Sequence, residues 1–214
     1  MKELENWLEE KRLMRVEKFL KERGFNTFLV PDKDSAKNKI LEIIPKEAVI
    51  GIGGSVTIRQ IGIIEELEKK GYTIYHHWKE GLSLEEDLEI RKKELLSDVF
   101  LSSVNAVTLS GELVNIDGIG NRVSAQIFGP KQVIVVVGRN KVVVNLETAL
   151  WRIKNITAPL NAKRLNLNVP CADLGYCEEE CNSPNKMCRV ITILNAPPSR
   201  TPFFVILVNE NLGF

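Results

Sequence analysis

The chain has 214 residues, 29 basic and 28 acidic side chains, a formal charge of +1 and 44% apolar residues. That length and apolar content support one domain with a substantial core; the balanced charge excludes a disordered chain and does not indicate a strongly basic nucleic-acid binder, a local basic patch aside. No apolar run approaches the roughly 20 residues of a membrane span. The charged opening MKELENWLEEKR is unlike a signal peptide, so a cytoplasmic protein is expected.

In chain order, Leu4, Trp7, Leu8, Met14 and Leu20 recur near helical spacing and predict an amphipathic helix ended by Gly24. FNTFLVP (25–31) reads as a strand closed by Pro31. A helix follows from Lys33 to Ile44, with Asp32 or Asp34 as its N-cap. EAVIGIGGSVTIRQIGIIEELEKKGYTIYHH then alternates strand, glycine turn, helix and strand, the order of a βαβ unit with parallel strands. Residues 82–97 are helical, DVFLSSVNAVTL is extended, and 110–118 is a turn followed by a short strand. Asn121 to Phe128 forms a short helix ended by Gly129-Pro130. The apolar run Val133 to Val137 suits a strand buried on both faces. Leu146 to Ile156 is helical, and two strands, 189–195 and 203–209, close the pattern. The whole chain, 1–214, therefore reads as one three-layer α/β domain with a mostly parallel sheet. It comprises an N-terminal helical segment (1–45), an α/β core with a glycine loop (46–165), a cysteine-rich loop (166–190) and C-terminal strands (189–214).

Three clusters carry chemistry. At AVIGIGGSVT, Gly51, Gly53 and Gly54 leave backbone N–H groups unshielded before a helix, and Ser55 and Thr57 add hydroxyls. This is a nest for phosphate or carboxylate, or else a tight turn with Ser55 or Thr57 as N-cap. It matches neither GxxxxGK[ST] nor GxGxxG. Around residues 105–122, Asn115 and Asn121 are polar anchors beside Gly118 and Gly120, Asp117 is an acid or base, and Arg122 is an anion clamp. Here the alternative is a β-turn, because Asp-Gly and Gly-Asn are turn pairs. All 4 cysteines fall within Cys171-x5-Cys177-x3-Cys181-x6-Cys188. Four crowded thiols point to zinc or an iron–sulfur cluster, against reduced thiols in a loop. His76 and His77 are adjacent at a strand end and face opposite ways, so they do not share one metal; a rim position is expected for His77.

GIGGSVT, GELVNIDGIGNRVSAQIFGPKQVIVVVGRNK, APLNAKRL and the block PC…GYC…CNSPNKMCR…NENLGF resemble the lactate-utilization (LUD) domain family, in order from about Glu47 to Phe214. The resemblance implies a fold like the sugar-phosphate isomerase and CoA-transferase superfamily (the NagB/RpiA/CoA-transferase-like fold), in which a glycine-rich strand-to-helix loop holds an anionic ligand. It favours an anion site at Gly51–Thr57 and raises Asn115, Asp117, Gly118, Asn121 and Arg122 as site residues. It also links the chain to oxidation of L-lactate together with iron–sulfur subunits. The family's middle cysteine pair is often CxxC, whereas here Cys177 and Cys181 enclose three glutamates.

Three functions follow as expectations. The first is a component of lactate or related 2-hydroxy-acid utilization. It would bind a small carboxylate or phosphate at the glycine loop and an iron–sulfur cluster, of the 4Fe-4S kind, at the four cysteines. Asp117 or Glu147 would move a proton, and a redox protein would be the partner. The second is a non-redox enzyme on sugar phosphates or acyl-CoA with structural zinc. The third is a metal-organised binding or regulatory module. An oligomer is compatible with each.

Overall fold

A computed structural model describes residues 1–178 and 181–214; Glu179 and Glu180 of the cysteine loop lie outside the described residues. Helix α1 spans Lys2–Glu22, β1 Asn26–Val30 and α2 Lys33–Ile43. The Asp32 side chain caps α2 by accepting from Ser35 N. Strand β2 (Ile50–Ile52) enters the glycine loop. The helix that follows is broken into α3 (Val56–Ile61) and α4 (Ile63–Lys69), because Gly62 adopts a left-handed conformation at φ 68°. Strand β3 (Ile74–His76) and α5 (Leu84–Leu95, opened by a Ser83–Glu86 capping box) come next.

The extended run after α5 divides into β4 (Val99–Ser102) and β5 (Ala106–Thr108), and β6 (Leu113–Asp117) precedes α6 (Asn121–Ile127). After β7 (Gln132–Gly138), one 3₁₀ turn (Arg139–Lys141) leads into β8 (Val142–Val143). Helix α7 (Leu146–Arg152) continues through a π-helical stretch (Ile153–Thr157) into α8 (Ala158–Arg164), longer than the helix expected to end at Ile156. A short α9 (Pro170–Leu174) opens the cysteine loop, and β9 (Val190–Leu194) and β10 (Phe203–Val208) follow it.

Two sheets form rather than one. The larger has six strands in the order β1-β10-β7-β4-β2-β3, every pair parallel. The smaller has the order β8-β5-β6-β9 and is mainly antiparallel. The two C-terminal strands therefore part company: β9 joins the small sheet and β10 inserts into the middle of the large one.

Strands β7 and β10 explain the central core. Ile134 and Val136 of β7, with Ile206 and Val208 of β10, face the cluster built with α2, α3 and α4. Their alternates Val133, Val135 and Val137, with Phe203, Val205 and Leu207, face α1 and the second sheet. Side chains alternate across a strand, so a continuous apolar run can serve two cores only from a central position. A third cluster packs Ala149 and Ile153 against Ala106, Val114 and Ile116 of the small sheet.

Candidate functional site

The loops after β2, β3, β4 and β7 all end on the carboxyl edge of the large sheet. From β2 the chain crosses outward to the edge strand β3, then returns so that β4 lies on the other side of β2. Such reversals open a crevice between neighbouring loops. A cavity of about 580 Å³ sits there. The small sheet supplies its far wall through Ile116 to Arg122, and α8 and the cysteine loop cover it through Asn161, Arg164 and Met187.

Of the expected residues, Gly54, Ser55, Thr57, Asp117, Gly118, Asn121 and Arg122 line this cavity, so the glycine loop and the 115–122 run meet across one space. The glycines divide their work. A Cβ on Gly51 would lie 2.5 Å from the Glu94 carbonyl oxygen and 2.7 Å from Ser97 Oγ, so Gly51 lets α5 press on β2. A Cβ on Gly53 would sit 2.7 Å from the Phe100 ring. Only Gly54 opens to the cavity. Ser55 caps α3 by accepting from Ile58 N at 3.3 Å.

Asn115 is fully buried behind the wall, where it bonds Gln126 and Arg122. Gly120 is the residue before α6, at φ 95°. Gly118 packs against the Met187 backbone. Asp117 Oδ1 accepts from Ile119 N and Gly120 N; its Oδ2 is buried without a hydrogen-bond partner among the described residues, 3.6 Å from Arg122 Nε. Glu147 is not brought to the cavity. It is exposed on the first turn of α7, where a carboxylate favours the helix N-terminus.

Arg122 differs from the expected anion clamp. Its terminal nitrogens donate to Asn115 Oδ1, Ser103 O, Asn105 Oδ1 and Ile116 O. These bonds tie β6 to the β4–β5 turn and leave Nε toward Asp117. Burial lowers the guanidinium's affinity for its proton, and Asp117 opposes that. Arg122 is a strut of the cavity wall.

One group at the site, Lys141, was not anticipated from sequence, and another was expected only at a rim. Lys141 is 4% exposed, and its Nζ donates to Thr57 Oγ1 at 2.8 Å and Ser103 Oγ at 2.9 Å. Burial, then Arg152 and Arg122 nearby, lower its pKa to about 7. Arg152, also buried, bonds only neutral acceptors among the described residues: Asn140 O, Asn105 O and Thr157 Oγ1. Burial brings its pKa down to about 10. The other group is His77, which lines the cavity while its Nδ1 lies 2.6 Å from Glu94 Oε1. A sequence signal existed for His77, one residue beyond the end of β3, whereas Lys141 sits three residues past Gly138 in a polar turn and carries no local signal of burial.

The four cysteines are free and half-buried. Burial and then the neighbouring thiols raise the pKa of Cys171, and raise that of Cys188 to about 11. Cys188 packs on the third core cluster, and the next residue, Arg189, donates its N–H to Asp117 O at 3.0 Å. Thiol donors suit zinc or iron–sulfur chemistry. Among the described residues, no three His, Cys, Asp or Glu side chains are gathered tightly enough to hold a metal ion as the loop stands.

Comparison with known proteins gives a fold neighbour. A crystal structure of a DUF162-family protein from Deinococcus radiodurans matches with a TM-score of 0.52 at 13% identity, covering 94% of this chain and 98% of that one. Ribose 5-phosphate isomerase A from Methanocaldococcus jannaschii matches with a TM-score of 0.38 at 15% identity, covering 76% of this chain and 79% of that one, too distant to bear on the site. No curated protein matches the sequence. The sequence model of the LUD domain family matches residues 13–208, which take in both sheets, the glycine loop and the cysteine loop. The chain belongs to the LUD domain family.

Proposed function

We propose that this LUD-domain protein serves lactate or related 2-hydroxy-acid utilization by binding a small anionic ligand in the cavity beside a thiol-ligated metal centre. Family membership supports the metabolic setting. The charge of the cavity wall supports the ligand class. Arg91, Arg122, Lys141, Arg164, Lys186 and Arg189 line the cavity, against Asp117 as the one carboxylate side chain among the described lining residues. Of these cations, Lys141 is buried and, among the described residues, bonds only neutral hydroxyls, which favours an anion brought from solution. Lys141 is the anchor, because two of its three N–H groups are held by Thr57 and Ser103 and the ammonium lies at the cavity wall.

Cys171, Cys177, Cys181 and Cys188 would hold the metal centre, drawing together from their present spacing. An iron–sulfur cluster there would supply one-electron transfer to a redox partner. The chain's own part is to bind the acid, exclude water under α8 and the cysteine loop, and keep Asp117 and the wall in register through Arg122. The test is calorimetric titration of anaerobically purified protein with L-lactate and with inorganic phosphate, alongside iron, sulfide and zinc content. Saturable binding of either anion that is lost in Lys141→Met supports the reading; no binding of either refutes it. Iron with matching sulfide supports the cluster, and one zinc per chain would make the loop structural.

A further inference from the structure

The imidazole of His77 is held from one side. Its Nδ1 meets the Glu94 carboxylate at 2.6 Å, and Glu94 is 1% exposed. The carboxylate is itself held in place: Asn121 Nδ2 donates to Oε2 at 3.4 Å, and Arg91 donates to Asn121 Oδ1 at 3.1 Å. The close approach of the Glu94 backbone at Gly51 keeps α5 at this distance. An ionised carboxylate only accepts, so it fixes the ring proton on Nδ1 and leaves the Nε2 lone pair as an acceptor.

That lone pair faces the glycine loop. A Cβ on Gly54 would lie 3.2 Å from Nε2, so glycine keeps the approach open, and both residues line the cavity. Three residues further along the same loop, Thr57 receives Lys141 Nζ. The two ends of one short loop therefore present a cationic donor and a neutral acceptor to the same cavity.

We infer that His77 Nε2 is the hydroxyl-accepting, specificity-determining group of this cavity, selecting a short hydroxy acid over the same acid without its hydroxyl. Glu94 is the positioning residue that holds the tautomer. The inference rests on the proposed anion site and adds the residue that reads the ligand's hydroxyl. A cavity with a buried acceptor discriminates strongly against an analogue that cannot satisfy it.

Two measurements test it. The first needs no ligand: ¹⁵N NMR of the full chain at pH 8, with His76→Gln used for assignment. The expected spectrum places the His77 proton on Nδ1; a proton on Nε2 would overturn the inference. In Glu94→Gln the tautomers should mix, and an unchanged spectrum would remove Glu94 from the scheme. The second measurement compares affinities for L-lactate and propionate. Wild type should prefer lactate at least tenfold, and His77→Phe should bring the two within about twofold while propionate affinity holds. Equal affinity in wild type refutes the hydroxyl acceptor and leaves the anion site standing. No binding of either acid, or of phosphate, refutes the proposed function and this inference with it.

Discussion

Replacing Lys141 by methionine should stabilise the ligand-free protein and disable it. An ordinary lysine titrates at 10.5; burial and two neighbouring arginines hold this one near pH 7. The displacement corresponds to on the order of 5 kcal/mol of unfavourable burial when the group is charged. A lowered lysine pKa means the unfolded chain binds the proton up to about pH 10.5 while the folded chain releases it near 7. The unfolded state thus holds more protons between these values, and stability rises with pH across that window. From pH 6 to pH 9 roughly 3 kcal/mol of the penalty is relieved. Methionine fills the space of the aliphatic stem without a charge. The hydroxyls it leaves behind keep donor bonds, Thr57 to Leu212 O and Ser103 to Val136 O. The assay is urea denaturation of both proteins at pH 6 and pH 9 without ligand. Lys141→Met should exceed wild type most at pH 6, with the gap closing by roughly 3 kcal/mol at pH 9. Phosphate affinity should fall at least tenfold. A gap that is the same at both pH values would refute the buried, charged lysine.

Gly51→Ala should destabilise by roughly 2 kcal/mol or more, because its Cβ would meet the α5 backbone at Glu94; equal denaturation midpoints would contradict that packing. Arg122→Ala leaves Asn115 Oδ1 and Ile116 O without this donor and should cost about 3 kcal/mol, read by thermal melting at pH 7. Cys188→Ser should lower bound metal per chain by elemental analysis; unchanged content would exclude Cys188 as a ligand. Glu147→Gln should leave anion affinity within about twofold, since this residue is exposed on α7, and a larger loss would return it to the site.

Local signals carried much of the large sheet. The Asp32 cap, the strand-loop-helix at 48–57 and the apolar run of β7 follow from turn chemistry and periodicity, and the structure has each of them. The second sheet was not legible. DVFLSSVNAVTL reads as extended throughout, and only tertiary packing decides that it breaks at 103–105, where Ser103 bonds Val136 O and Asn105 accepts from Ile116 N. Nor does local patterning assign β9 and β10 to different sheets, because pairing is a long-range choice. At the site, glycine density drew attention to the loop, where Gly54 lines the cavity while Gly51 and Gly53 serve packing. Lys141 escaped notice because lysine is almost never buried, so burial is legible only once Thr57 and Ser103 surround it.

The placement of β10 between β1 and β7 sets an order on synthesis. Among the described residues strand β1 pairs with β10 alone, and more than 170 residues separate Val30 from Phe203. At the usual 5–20 residues per second, β1 waits on the order of ten to thirty seconds for its neighbour. Meanwhile the nascent chain exposes an unpaired strand and the open flank of β7, surfaces that invite adhesion between chains. Helix α1, whose Leu13, Val16 and Leu20 are fully buried in the finished core, is then the element at hand to shield them. Maturation of this domain is a closing step in which one late strand locks the earliest and the central elements together.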